Sequence, residues 1–131
     1  MGVTIGIDAL SSTIQQYMNE LEIKADKSLD LAGKMAAEKG AQTLKGTSPK
    51  RKKSGGTPGR YANGWRVKAE GGAAGHLYII HNSTNASLTH LLEKGHALRQ
   101  GGRSPAIVHI QPVEQAAIRD FEDNIRRFMN I

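Results

Sequence analysis

The sequence predicts an α+β fold: two N-terminal helices, a small mostly antiparallel β-sheet, a short leucine-rich helix and a long C-terminal helix packed on the sheet. Three observations carry this expectation. Apolar residues recur every three or four positions near both ends of the chain, β-branched and aromatic runs fill the middle, and segments rich in glycine, serine and proline separate the two patterns.

The first helix is read from Ile7, Leu10, Ile14, Tyr17, Met18 and Leu21, with Asp8, Ser11, Gln15 and Glu20 between them. A second helix is expected over about 24–45, where Ala25, Leu29, Ala32, Ala36, Gly40 and Leu44 form a stripe of mostly small residues. Small side chains let a helix axis lie close to its support, so this stripe is expected against the sheet or a neighbouring subunit. Gly33 and Gly40 each weaken the isolated helix by roughly 1 kcal/mol relative to alanine, and packing must offset that cost.

The stretch 46–60, GTSPKRKKSGGTPGR, has no apolar anchor and is expected to be a flexible basic loop. Trp65, Val67 and Ala69 then alternate with Arg66 and Lys68, as in a half-buried strand, and HLYIIHN at 76–82 reads as its hairpin partner. Ser87 is placed to cap a short helix bearing Leu88, Leu91 and Leu92, and Gly95 to end it. A Gly-rich loop at 97–104 leads to a third expected strand, AIVHI at 106–110. Pro112 suits the first turn of the final helix, whose stripe is Val113, Ala117, Phe121, Ile125 and Phe128, with Arg126 and Arg127 complementing the dipole at its end. The expected core comprises Ile14, Leu21, Leu29, Trp65, Val67, Ile79, Leu91, Leu92, Ile107, Phe121 and Ile125.

Bulk properties narrow the function classes. The 131 residues suit one domain, 1–131, and the absence of cysteine excludes disulfides, thiolate metal sites and thiol nucleophiles. No apolar run approaches the roughly 18–20 residues of a membrane helix, and Met1-Gly-Val-Thr-Ile lacks the features of a signal peptide. The chain is therefore expected to stay in the cytosol that makes it, without a membrane partner. The net charge of +6 is unevenly placed: no acid lies between Glu38 and Glu70, while residues 45–68 hold eight bases, leaving the rest of the chain at −2. Such a segment attracts a polyanion or an acidic protein surface.

Chemistry-bearing constellations are weak. His90, Glu93 and His96 fall at i, i+3 and i+6, which drift off one helix face, whereas a zinc helix places histidines at i and i+4, so no metal site is expected. His76, His81 and His109 fall on expected strands. No nucleophile sits in a recognisable elbow, and no carboxylate pair has motif support; no enzyme activity, cofactor or small-molecule substrate is expected. Gly101, Gly102 and Arg103 lack the Lys-Ser/Thr of a phosphate-binding loop and precede an expected strand. With Arg99 they are candidates for an assembly loop. The basic run Lys50, Arg51, Lys52 and Lys53, with Arg60, is a candidate contact for DNA phosphates or an acidic partner, against the plainer reading of a solvated loop. No aromatic residue is interleaved to stack on single strands.

One order of motifs is more specific. Gly64-Trp-Arg-Val-Lys, Tyr78-Ile-Ile-His-Asn82, the block LTHLLEKGHA at 88–97, Gly101-Gly-Arg103 and His109-Ile-Gln-Pro112 together resemble the tail-component family of long-tailed bacteriophages, also called neck or minor tail proteins. The resemblance covers Tyr61 to the C-terminus. It departs from the family in the loop before Tyr61, which is more basic here, and in Tyr-Ala-Asn-Gly-Trp where relatives carry a Thr-Gly-x-Leu-like stretch. The resemblance implies a structural, non-enzymatic part of the head-tail junction or tail, in a phage or prophage-derived particle. It would form a ring with copies of itself, contact other neck and tail proteins, and touch DNA in the lumen non-specifically. Its location would be the virion, after assembly in the host bacterial cytoplasm. The alternative is a free-standing basic nucleic-acid-binding domain.

Overall fold

A computed structural model describes residues 6–50, 59–72 and 75–131. The chain forms α1 (Ile7–Thr47), a single turn α2 (Arg60–Asn63), β1 (Trp65–Gly72), β2 (Gly75–Asn82), α3 (Leu88–Lys94) and α4 (Ile110–Met129). The class is α+β, as the sequence predicts. Among the described residues, no helix is long and apolar enough to cross a membrane.

The two expected N-terminal helices are one continuous helix of 41 residues. Between Ile7 and Ala32 there is no glycine or proline to break it, and the apolar spacing passes from Leu21 to Ala25 without losing phase. What changes near Leu21 is side-chain size. Beyond that point α1 buries Ser28, Ala32, Ala36, Ala37, Gly40, Ala41 and Leu44, the small-residue face expected to support close packing.

Both other layers lie against this face. An ideal Cβ on Gly40 would stand 2.8 Å from Ile80 Cδ1 and 3.6 Å from Val113 Cγ1, and one on Gly33 would stand 3.3 Å from the Tyr78 ring and 3.9 Å from Phe121. A side chain at Gly40 would therefore press on the end of the Ile80 side chain where β2 and α4 converge. Val113 faces Gly40 and Phe121 faces Gly33, so α4 runs antiparallel to α1, with Lys39 and Asp120 paired at 3.2 Å. The expected placement of the last helix on the sheet is corrected accordingly. It packs mainly along α1, beside the sheet, although its predicted stripe does face inward, with Val113 buried and Ala117, Phe121, Ile125 and Phe128 half-buried.

The sheet has two antiparallel strands, paired Trp65 with Asn82, Val67 with Ile80 and Ala69 with Tyr78. The expected third strand at 106–110 does not form. Its amides are already used: Ile107 N–H donates to the Leu92 carbonyl at 2.7 Å, while those of His109 and Ile110 donate to the Glu93 carboxylate. The end of α3 therefore replaces a neighbouring strand as its partner.

Several expected core residues lie outside. Ile14, Leu21, Leu29, Leu91 and Ile107 are exposed, and Val67, Ile79, Leu92, Phe121 and Ile125 are half-buried. The buried cluster is Ala41, Leu44, Tyr61, Trp65 and Val113. The two aromatics contribute most of its buried area, since such side chains bury on the order of 150–250 Å² each, up to roughly 4–6 kcal/mol.

Gly95 ends α3 as expected, at φ +72° and ψ 173°, and a Cβ there would collide with the Ser104 carbonyl oxygen. Ser87 stands at the N-cap but makes no side-chain cap bond. Replacing Gly95 with Ala is expected to destabilise the fold by at least about 2 kcal/mol, because backbone strain and a backbone collision act together. Gly46→Ala, in the last turn of α1 with nothing near the added methyl, should instead stabilise by about 0.5 kcal/mol. Thermal unfolding of the two variants measures both signs.

Candidate assembly surface

A buried polar and aromatic cluster fixes the segments from which the predicted loops emerge. Tyr61, on α2, and Trp65, opening β1, meet edge to face at 5.7 Å between ring centroids, and His109 lies edge-on to Tyr61 at the same separation. The Trp65 Nε1–H donates to Ser48 Oγ at 2.8 Å, tying the end of α1 to the sheet across the basic loop. Asn82 donates to the Tyr61 carbonyl at 2.7 Å, and its Oδ1 accepts from the amides of Thr84 and Asn85.

His109 was expected on a strand; it is instead the buried residue that precedes α4. Its Nδ1 lies 2.8 Å from the Ile107 carbonyl and its Nε2 2.8 Å from the Tyr61 hydroxyl. The tautomer with the proton on Nδ1 satisfies both, donating to the carbonyl and accepting from the phenol. Burial pushes the Tyr61 hydroxyl above its ordinary pKa, with the nearby Glu93 charge acting in the same direction against a Thr89 hydrogen bond, so the phenol keeps its proton.

Glu93 supplies the cap that the start of α4 lacks. Both carboxylate oxygens accept from His109 N–H at 3.0 Å and from Ile110 N–H at 2.9 Å, and Oε1 accepts from Gln111 N–H at 3.3 Å. This places a negative charge at the positive end of the helix dipole. Of the trio His90, Glu93 and His96, the glutamate is thus a helix cap, His96 Nδ1 lies 2.8 Å from Ser104 Oγ, and His90 is exposed. Sequence reasoning missed this role, as it missed Ser48, Tyr61 and Asn82. One signal was present: His109-Ile-Gln-Pro112 opens a helix with none of the usual capping side chains, so a cap had to come from elsewhere.

The predicted contact residues are spread out. Lys50 is exposed where the described segment ends, and Arg60 is exposed at the start of α2, its carbonyl accepting from Thr84 Oγ1. Arg51, Lys52 and Lys53 lie outside the described residues. Arg99, Gly101, Gly102 and Arg103 sit on a turn that is better tied than the flexible loop expected: Ala97 bridges Arg103, Leu98 N–H donates to Gly102, and Gly101 and Gly102 take φ +95° and +78°. Among the described residues, no hydrogen bond or ion pair joins this turn to Lys50 or Arg60.

Two features whose exposure the sequence does not reveal dominate the surface. The first is the outer part of α1. Every residue from 7 to 24 is exposed, including the stripe Ile7, Leu10, Ile14, Tyr17, Met18 and Leu21, of which Ile7 is 88% and Tyr17 65% accessible. These 18 residues extend about 27 Å beyond the covered part of the helix. The second is an open apolar groove of about 570 Å³ between the sheet and α4. Its floor is Ala36 and Ala37 of α1, and its walls include Trp65 and Ile80 on one side and Ala117 and Phe121 on the other. Compared with known proteins, the chain matches no family model, no curated protein and no solved structure.

The Glu93 cap makes a pH prediction. Burial alone would raise its carboxyl pKa, but hydrogen bonds from Ile110, His109 and Gln111 outweigh that and hold it below the ordinary carboxylate value. A depressed folded pKa stabilises the fold above the unfolded value of about 4.3, and the contribution is lost as pH falls through the folded value. Glu93→Gln should therefore cost about 1–2 kcal/mol at neutral pH and lose less stability than the natural chain on acidification below about pH 5. Thermal unfolding across that range tests both parts.

Proposed function

We propose that this protein is a structural component of the head-tail junction or tail of a long-tailed bacteriophage or prophage-derived particle, acting by assembly and not by catalysis. The observation that carries the assembly part is the uncovered apolar stripe on residues 7–21 of α1. Isolated exposed hydrophobes are ordinary, but a stripe of six at helical spacing on a projecting helix is the surface of a contact with another chain. The phage assignment rests on the resemblance of the motifs from Tyr61 onward. Several of them lie at turning points of the fold: Gly95 ends α3, Asn82 holds the corner after β2, and His109 opens α4.

In this reading the chain packs with copies of itself into a ring and with other neck or tail proteins, in the virion, with no cofactor or small-molecule substrate. The bases at Lys50, Arg51, Lys52, Lys53 and Arg60 support contact with DNA passing through the lumen, where a phosphate backbone rewards positive charge without base-specific groups. Arg99, Gly101, Gly102 and Arg103 form an exposed turn suited to a neighbouring subunit. The same basic segment favours the second reading, a free-standing nucleic-acid-binding domain. That reading requires the free chain to bind duplex DNA at physiological salt, which the structural reading does not.

Electron microscopy of lysates from a phage or induced prophage with an early stop codon in this gene tests the proposal, with the gene restored from a plasmid as control. Separate filled heads and tails, or tails of aberrant form, are expected. Normal infectious particles would overturn it.

A further inference from the structure

We infer that the groove between the sheet and α4 receives the N-terminal part of α1 from a second copy of this chain, so that each copy inserts its own arm into the next. The inference rests on the assembly reading above and names its contact. Each copy has one projecting apolar helix and one unfilled apolar groove, and the two are matched in length. The stripe from Ile7 to Leu21 is about 21 Å long, and the groove, bordered by α4 residues 110–122, is about 18 Å long.

A chain cannot fill its own groove. The arm continues the helix whose residues 33–44 form the groove floor, and from Ile7 to Ala32 no glycine or proline offers a hinge. Its axis therefore carries it away from the body.

Charge opposes the pairing of two arms. Residues 7–23 contain Asp8, Glu20 and Glu22 and no base, so they carry −3, and since the whole chain is at +6 the remainder carries +9. Pairing two arms brings like charges together, −3 against −3. The groove also has two acids, Glu114 and Glu122. The middle of the arm, residues 9–19, has no charge of its own to set against those carboxylates. Because arm and groove are different surfaces, the contact is heterologous and propagates head to tail, closing as a ring where the rotation permits.

Thiol cross-linking tests the inference in the full chain, which has no cysteine of its own. Ile14 is central in the stripe and Ile118 lies near the centre of the groove border, so the two are neighbours whichever way the arm runs. Both are exposed, 50% and 52%, so Ile14→Cys and Ile118→Cys leave the subunit folded, as circular dichroism verifies. With a short bis-maleimide, an equimolar mixture of the two single variants is expected to give mixed dimers, and the double variant a ladder. Adding Leu10→Asp, exposed in the subunit and buried in the contact, should lower the yield at least about tenfold by burying an unpaired carboxylate. Dimers from Ile14→Cys alone in equal yield would mean arm-to-arm pairing and overturn the inference. So would no intermolecular product at any concentration. Either failure alongside separate heads and tails in the stop-codon lysate would reject this contact while leaving the structural role.

Discussion

The body of this protein depends on the closeness with which β2 and α4 approach α1. Gly40 carries no side chain where Ile80 and Val113 converge, and Ala36, Ala37 and Ala41 flank it with single methyl groups. A larger residue at Gly40 would press on the end of the Ile80 side chain and crowd this junction. Alanines bury little area, so this face adds few favourable contacts of its own. Its role is to bring Tyr61, Trp65 and Val113 into one cluster with Leu44, where the larger burial occurs.

Hydrogen bonds of long sequence separation then fix the segments that packing leaves undetermined. The Trp65 indole holds Ser48, Asn82 holds the turn before β1 and the one after β2, and Glu93 gathers the first amides of α4. These bonds share one region with His109 and Tyr61. Consequently the two ends of the basic loop and the entry to α4 are set by the same cluster. Among the described residues, no buried side-chain nitrogen or oxygen lacks a partner, so the cluster carries no uncompensated desolvation cost.

Local signals were legible and distant ones were not. The α4 stripe, the Gly95 stop, the hairpin and the small-residue face of α1 all follow from spacing within a few residues. Side-chain size changes after Leu21, but this marks a change of partner and not of backbone, so the two expected helices are one. The strand expected at 106–110 has the right residues, but its amides are claimed by Leu92 and Glu93, and nothing in the local pattern reveals that. For the candidate surface, composition located the basic loop and the Gly-rich turn. The apolar stripe is legible too, but helical periodicity says that a face is apolar and not what covers it, so the sequence predicts Ile14 and Leu21 in the core while both are exposed. The groove depends on the separation of β2 from α4, a tertiary quantity with no sequence signature.

We propose that α1 serves two structures at once, with residues 28–44 supporting the subunit and residues 7–24 available to another copy. Hydrogen exchange followed by mass spectrometry over a range of protein concentrations tests this directly. In dilute solution, amides of 28–44 should be protected and those of 7–24 should exchange rapidly, since an uncovered helix of that length frays. With increasing concentration, protection should rise in 7–24 and in the groove border at 110–122 together. Equal protection along the whole of α1 in the dilute monomer would contradict the account.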